Sequence, residues 1–115
     1  MIEKKNFYIN GKWVSPAKPN DFEVINPSTE EAFAIISLGS AEDADKAINA
    51  AKIAFETWRE TTKEERLALL EKFDEIYNRR WDEMVEAQSK EMGAPLDFAS
   101  ETHTKMGADI CRNNI

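Results

Sequence analysis

The sequence predicts an α/β fold in which N-terminal β-hairpin strands precede about three α-helices. Residues 1–38 alternate short aromatic and β-branched runs with turn residues. From Ser40 onward the apolar residues instead recur with the spacing of a helix face. The four glycines are scattered along the chain, so a glycine-rich cofactor loop of the Rossmann type is absent. We therefore expect an α/β chain that lacks a nucleotide-binding motif.

The first hairpin is predicted around Asn10 and Gly11. The flanking runs, residues 7–9 (Phe-Tyr-Ile) and 12–14 (Lys-Trp-Val), are typical of strands. Asn-Gly between such runs is a strong hairpin signal, because both residues tolerate the positive φ of a type I′ turn. A two-stranded ribbon is marginal in water, so these strands need a surface on which to lie.

A second hairpin is predicted from the next two extended runs. Residues 15–20 contain two prolines and are expected to form a loop. Residues 22–25 (Phe-Glu-Val-Ile) then resemble a strand that Asn26 and Pro27 bring to an end. The mostly apolar residues 32–38 resume the extended pattern, which places the turn at residues 28–31.

The first helix is predicted to begin after Ser40. Ser40 and Asp43 stand in the spacing of a capping box, and Glu42 and Asp43 suit the positive end of a helix dipole. An apolar stripe follows, formed by Ala44, Ala47, Ile48, Ala51, Ala54, Phe55 and Trp58. Its alanines would allow another element to approach closely.

The second helix is predicted to begin with a capping box at Thr62 and Glu65. Its expected apolar face comprises Leu67, Leu70, Phe73, Ile76 and Tyr77. The pattern slips at residues 78–80, so Asn78 is one candidate for the end of this helix. The stripe resumes at Trp81, and Gly93 fits the position that ends a helix.

A third helix is predicted to begin near Asp97, with Phe98, Met106 and Ile110 as buried residues. It has no recognisable C-terminal cap, so the chain is expected to stop within an element. Strands that need a sheet, followed by helices with apolar stripes, indicate the opening of a larger fold.

Composition excludes several classes of partner. The net charge is −7, whereas nucleic acids and anionic membranes attract basic surfaces. No apolar run approaches the roughly 20 residues that span a bilayer, and residues 1–12 lack the apolar core of a secretory signal. The single cysteine, Cys111, cannot form an internal disulfide, so a cytoplasmic location is expected.

Cys111 is also the candidate nucleophile, and it has no base. The one histidine, His103, would lie ~12 Å away along a shared helix axis. Cys111 is therefore interpreted as a small, buried or half-buried apolar residue, and His103 as a solvated surface residue. One cysteine and one histidine cannot complete a zinc shell. We expect no catalytic, cofactor-binding or metal-binding residue in this chain.

Five short motifs, in order and with matching spacing, make the chain resemble the N-terminal segment of the NAD(P)-dependent aldehyde dehydrogenase superfamily. They are residues 8–13 (Tyr-Ile-Asn-Gly-Lys-Trp), 26–29 (Asn-Pro-Ser-Thr), 40–58 with its Ala-Phe-x-x-Trp end, 65–70 (Glu-Arg-Leu at its start), and 91–95 (Glu-Met-Gly-Ala-Pro). Glu30 stands where the family usually has glycine, which is expected to lengthen or reshape the second hairpin.

The resemblance implies a truncated aldehyde dehydrogenase-like fold without the Rossmann motif or the catalytic domain. In the family, a cysteine thiolate attacks the aldehyde, hydride passes to NAD or NADP, and a glutamate activates the hydrolytic water. Those residues lie downstream, and none maps onto this chain, Cys111 included. By the same resemblance, residues 1–38 are strands that join subunits, and residues 39–115 are helices that belong to the cofactor-binding domain.

The function expected from this resemblance is that of an enzyme fragment. The parent enzyme would oxidise an aldehyde with NAD or NADP and form a homo-oligomer in the cytoplasm, whereas the fragment itself would bind no cofactor. The alternative is a non-catalytic interaction or assembly module derived from the same fold. A free-standing α+β binding domain is a third hypothesis, and it would require a closed core, against which the uncapped end argues.

Overall fold

A computed structural model describes all residues, 1–115, and confirms the α/β class. The elements, in chain order, are β1 (Ile2–Lys4), β2 (Phe7–Ile9), β3 (Lys12–Val14), β4 (Asp21–Asn26), β5 (Glu31–Ser37), α1 (Ala41–Trp58), α2 (Lys63–Arg79), α3 (Trp81–Met92), α4 (Leu96–Phe98), a π-helix (Ala99–Thr104) and α5 (Lys105–Arg112). None of the helices combines the length and the apolar character that crossing a bilayer requires.

The chain divides into two compact units. The first comprises Met1–Ile25 and Glu30–Glu60, and the second comprises Asn26–Thr29 and Thr61–Ile115. The first unit therefore contains α1 and all five strands except Asn26, the last residue of β4, and the second contains the remaining helices.

The first hairpin forms as predicted. β2 and β3 pair antiparallel, and Tyr8 lies opposite Trp13 in the register. Asn10 and Gly11 have φ values of 52° and 73°, which is the left-handed conformation that a type I′ turn requires. The surface on which this hairpin lies is α1, whose alanines line a shallow cleft of about 340 Å³ beside residues 8–11; these are Ala47, Ala50, Ala51 and Ala54.

The other strands form a three-stranded sheet in the order β1-β5-β4. β1 pairs with β5 in parallel, with Ile2 opposite Ala34. The sequence did not indicate β1, because this strand has three residues, of which two are charged, and no alternation to detect.

In the turn between β4 and β5, the backbone of Glu30 adopts a left-handed conformation. The main-chain N–H of Thr29 donates to the carbonyl oxygen of Asn26 at 3.2 Å. Glu30 then adopts φ 59°, a conformation that glycine reaches without the steric conflict of a β-carbon. Glu30, which replaces the glycine of the family motif, thus has a strained backbone conformation and directly precedes β5.

Both predicted capping boxes are present. The Ser40 hydroxyl accepts from the N–H of Asp43 at 3.3 Å, and the Thr62 hydroxyl accepts from the N–H of Glu65 at 3.1 Å. The break after α2 falls at Arg80 (φ −103°, ψ 22°) and not at Asn78. Asn78 stays within the helix, where its side-chain amide donates to the carbonyl oxygen of Asp74.

The predicted third helix spans α4, the π-helix and α5, but the prediction of its buried face is wrong. Phe98, Met106 and Ile110 are 51%, 56% and 59% exposed. The residues that it buries are small, namely Ala99, Thr104, Ala108 and Cys111. A π turn adds a residue to the helical repeat, so spacing counted from a regular α-helix selects the wrong face beyond it.

No residue in the left-handed conformation ends this helix, because Asn113 keeps right-handed dihedral angles (φ −69°, ψ −8°). α5 ends at Arg112, and the N–H of Asn113 donates to the carbonyl oxygen of Asp109 at 2.9 Å. The Asn114 side chain donates to the carbonyl oxygen of Ile110 at 2.7 Å. A side-chain donor therefore satisfies a terminal carbonyl in place of the glycine that sequence inspection seeks.

The core is built from small side chains. Its buried apolar residues are Ala34, Val85, Ala99, Ala108 and Cys111, and the largest fully buried side chain is that of Thr104. On α1, Ile48 and Phe55 are more than half exposed. Several large apolar side chains on the helices are therefore exposed.

Candidate functional site

A cleft of about 510 Å³ in the second unit is lined by both polar and apolar side chains. The cleft lies between α3 and the beginning of the last helical segment. Its lining consists of Asp82, Val85, Glu86, Leu96, Asp97 and Ser100. Three carboxylates and a hydroxyl therefore surround two aliphatic side chains.

Ser100 is held at the start of the π-helix by Trp81. The indole N–H of Trp81 donates to the Ser100 hydroxyl oxygen at 3.0 Å. No hydrogen bond joins Ser100 to a histidine or a carboxylate, so the cleft lacks the nucleophile–base pair that activates a serine. Glu86 is paired with Lys90 at 2.6 Å. The contact with Trp81 orients Ser100 and does not activate it.

No group of three or more histidine, cysteine, aspartate or glutamate side chains is placed so that it could hold a metal ion. Asp82 and Asp97 are contributed by different elements and share no hydrogen bond. The lining of the cleft is acidic and partly apolar, but its carboxylates do not form the coordination shell of a metal ion.

The structure corrects the interpretation of His103 as a solvated residue. His103 is half-buried within the π-helix, and its ring packs edge-on against Phe98 with the centroids 5.0 Å apart. A π-helix places residues i and i+5 above one another, which brings these two rings together. The imidazole is therefore a packing element of this segment.

Cys111 is buried, as predicted, and its thiol donates to the carbonyl oxygen of Leu70 across the contact of α5 with α2, at 3.7 Å. The neighbouring Arg112 is directed elsewhere. Its guanidinium lies 3.3 Å from a carboxylate oxygen of Asp74 and donates to the Asn78 side chain at 2.7 Å. No cationic group or base is thus positioned to hold Cys111 as a thiolate.

A carboxylate from the first turn of each helix caps the N-termini of α1 and α2. Asp43 accepts from the Ser40 N–H at 2.9 Å, from the Ser40 hydroxyl at 2.7 Å and from the Ala17 N–H at 2.8 Å. These bonds, that from the Ser40 backbone above all, lower the pKa of Asp43. The bond from the Thr62 N–H lowers the pKa of Glu65 in the same way. Both helix termini are therefore already satisfied by anionic groups.

A second cleft, of about 460 Å³, lies at the N-terminal strands and is lined by Glu3, Lys4, Lys5, Asn6 and Trp13. Lys5 is paired with Asp21 at 2.8 Å, and this hydrogen bond raises the pKa of Lys5. No sequence pattern indicated this pair or the contact of Trp81 with Ser100. The partners are 16 and 19 residues apart, and no local pattern connects them.

Both a family model and individual known proteins are similar in sequence to this chain. The sequence model described as the aldehyde dehydrogenase family matches residues 13–115. A 3-succinoylsemialdehyde-pyridine dehydrogenase from a Pseudomonas species is 45% identical over 96 residues, which cover 84% of this chain and 20% of the relative.

Solved structures give the same result. The chain superimposes on an aldehyde dehydrogenase from Bartonella henselae with a TM-score of 0.97 and 55% identity, over 98% of this chain and 24% of that one. It superimposes on aldehyde dehydrogenase C from Pseudomonas syringae, complexed with NAD+ and octanal, with a TM-score of 0.92 and 37% identity, over 94% and 22% of the two chains. The chain thus spans about a fifth to a quarter of the length of these relatives.

Proposed function

The chain belongs to the aldehyde dehydrogenase family, and from this premise we propose that it is the N-terminal segment of an enzyme that oxidises an aldehyde to a carboxylic acid with NAD or NADP. The observation that carries the proposal is the continuous family match over residues 13–115, which includes both capping boxes and the helix stop at Gly93. A match of this length is far more specific than any one of the short motifs.

The proposed substrate and cofactor follow the relatives. The Pseudomonas syringae enzyme was solved with NAD+ and octanal, and a salicylaldehyde dehydrogenase from Pseudomonas putida was solved with salicylaldehyde. These ligands include an aliphatic and an aromatic aldehyde. The shared chemistry is the aldehyde group, so we assign the substrate at the level of an aldehyde.

The residues of this chain do not fit a nucleotide cradle. Gly39 packs against Phe7, a β-carbon on Gly93 would meet Pro27, and one on Gly107 would meet Tyr77. These glycines serve packing and do not cluster around a ligand. Asp43 and Glu65 close the first turns of α1 and α2, where they would repel a phosphate. The cofactor of the parent enzyme would accept the hydride, and we propose that other parts of that enzyme bind it.

The role of this chain would then be architectural. We propose that residues 1–38 contribute strands to subunit association in a homo-oligomeric parent, and that residues 39–115 contribute helices to the cofactor-binding domain. The incompletely covered apolar surface of α1 supports such packing. A cytoplasmic location is proposed on the basis of the single cysteine.

A segment exchange tests the proposal. The equivalent N-terminal residues of the Bartonella henselae enzyme would be replaced by this chain, and aldehyde-dependent NADH formation would be measured. We expect the exchanged enzyme to assemble and to keep its activity, because the two backbones superimpose over nearly the whole segment. The matched variant Cys111→Ser should be equally active, since the Cys111 thiol has no base.

The alternative, a non-catalytic interaction module, makes a different prediction. A module that has diverged from a catalytic role would fold and assemble in the exchanged enzyme yet leave it inactive. That result would contradict the proposed function, and native activity would support it.

A further inference from the structure

Eight asparagines occur in the chain, and Asn10 is the only one followed by glycine. The others precede residues that carry a side chain, namely Asn6, Asn20, Asn26, Asn49, Asn78, Asn113 and Asn114. Asn10 therefore combines a side-chain amide with a neighbouring main-chain nitrogen that no β-carbon shields.

The hairpin presents this pair to solvent. Asn10 is exposed at the tip, and a β-carbon built on Gly11 would meet no atom within 4 Å. Neither the main-chain N–H of Gly11 nor the side-chain amide of Asn10 makes a hydrogen bond. By contrast, the amides of Asn78 and Asn114 donate to main-chain carbonyls, and the Asn26 oxygen accepts from Ser28.

We propose that Asn10 is a site of spontaneous covalent modification, in which the main-chain nitrogen of Gly11 attacks the side-chain carbonyl carbon of Asn10. A solvent base removes the Gly11 N–H proton as the new C–N bond forms. The former amide nitrogen takes up a proton and leaves as ammonia, which closes a succinimide ring. Water then opens the ring at either carbonyl and gives an aspartyl or an isoaspartyl residue. No oxidant or reductant is needed.

Opening of the hairpin controls the rate of this reaction. Ring closure requires rotation about the Asn10 backbone, which the type I′ turn holds at φ 52°. The hairpin has strands of three residues each and is a two-stranded ribbon, so local opening is accessible. The absence of hydrogen bonds to both reacting groups removes a further barrier.

The isoaspartyl product would disturb the hairpin. It adds a main-chain carbon to a two-residue loop whose length sets the strand register. The ring contact of Tyr8 with Trp13, at 5.3 Å between centroids, depends on that register. Modification at Asn10 would therefore displace an aromatic pair on the exposed face.

The test is incubation of the native chain at mildly alkaline pH, followed by peptide mass spectrometry. We expect Asn10 to lose its amide about tenfold or more faster than any other asparagine, because each of the others precedes a residue with a β-carbon that crowds the attacking nitrogen. Both aspartyl and isoaspartyl peptides should appear. The matched variant Asn10→Gly keeps a sequence that suits the type I′ turn and should show no mass change in this peptide.

The same incubation of the urea-unfolded chain gives the reference rate. Retention of the Asn10 amide in the native chain, over the time in which the unfolded chain converts, would overturn the proposal. Equal loss at several asparagines would overturn it as well.

Discussion

The Tyr77 hydroxyl donates a 3.1 Å hydrogen bond to the main-chain carbonyl oxygen of Thr104. The bond joins α2 to the last residue of the π-helix and gives that carbonyl a donor from another element. The same hydroxyl lies 2.5 Å from the position that a β-carbon on Gly107 would occupy. Tyr77, Thr104 and Gly107 thus form a single contact, in which close approach depends on the absence of a side chain.

Gly107→Ala is expected to destabilise the chain by about 2 kcal/mol, because the added methyl group forces the Tyr77 ring away from its position. Tyr77→Phe is expected to cost about 1 kcal/mol through the lost hydrogen bond. Urea unfolding curves of the purified variants measure both effects.

A double variant provides the control for this contact. Without the Tyr77 hydroxyl the added methyl group has more room, so the two costs should be less than additive, with a coupling of about 1 kcal/mol. Additive costs would show that Gly107 and Tyr77 act independently, contrary to the geometry.

Gly93 is required for two separable reasons. It ends α3 with φ 70°, and a β-carbon there would lie 2.9 Å from Cγ of Pro27. Gly93→Ala is expected to cost about 2 kcal/mol from the backbone conformation and the clash together. In a Pro27→Ala background the clash is relieved but the strain remains, so the cost should fall without vanishing. A cost that Pro27→Ala leaves unchanged would contradict the packing argument.

Glu30 holds the left-handed backbone conformation at a non-glycine residue. Glu30→Gly is therefore expected to stabilise the chain by about 1 kcal/mol, measured as a higher urea midpoint with an unchanged slope. Asn10→Gly is the matched control and should change stability less, because asparagine tolerates this conformation. A lower midpoint for Glu30→Gly would show that the side chain makes a compensating contact.

The decrease in the free energy of unfolding at acid pH should depend on Asp43. Hydrogen bonds from Ser40 and Ala17 hold its pKa below the ordinary value of 3.8, so the folded state favours the carboxylate. That contribution is fully present above the unfolded pKa and is lost as the pH falls through the folded pKa. Thermal melting should show a wild-type chain more stable than Asp43→Asn at neutral pH, with the difference closing as the pH falls below 3.8 and through the folded pKa of Asp43. A difference that does not depend on pH would exclude this role of the carboxylate.

Short-range sequence patterns predicted much of the fold. The Asn-Gly turn, both capping boxes and the stop at Gly93 depend on residues at most four apart, so a single sequence contains the whole signal. The contacts of Lys5 with Asp21 and of Trp81 with Ser100 connect distant residues and left no such signal. The π-helix was likewise not indicated by the sequence, and it is the reason why Met106 and Ile110, which follow it, were assigned to the wrong face.

The burial of Cys111 was predictable from the sequence, whereas the cleft in the second unit was not. The lack of a base for Cys111 followed from the spacing to His103, and the burial of its thiol agrees with that interpretation. The cleft at Asp82, Leu96 and Ser100 could not be foreseen, because it depends on the packing of α3 against the following segment. Packing geometry is a tertiary property that helical periodicity does not encode.

We propose that this chain supplies architecture to an aldehyde dehydrogenase and that the chemistry depends on other parts of the enzyme. Aldehyde-dependent formation of NADH or NADPH by the purified 115-residue chain tests it most directly, with nucleotide binding followed by calorimetry in parallel. We expect neither turnover nor nucleotide binding. Turnover that Cys111→Ser abolishes would contradict this proposal, because the thiol that donates a hydrogen bond to the Leu70 carbonyl oxygen would then be acting as the nucleophile.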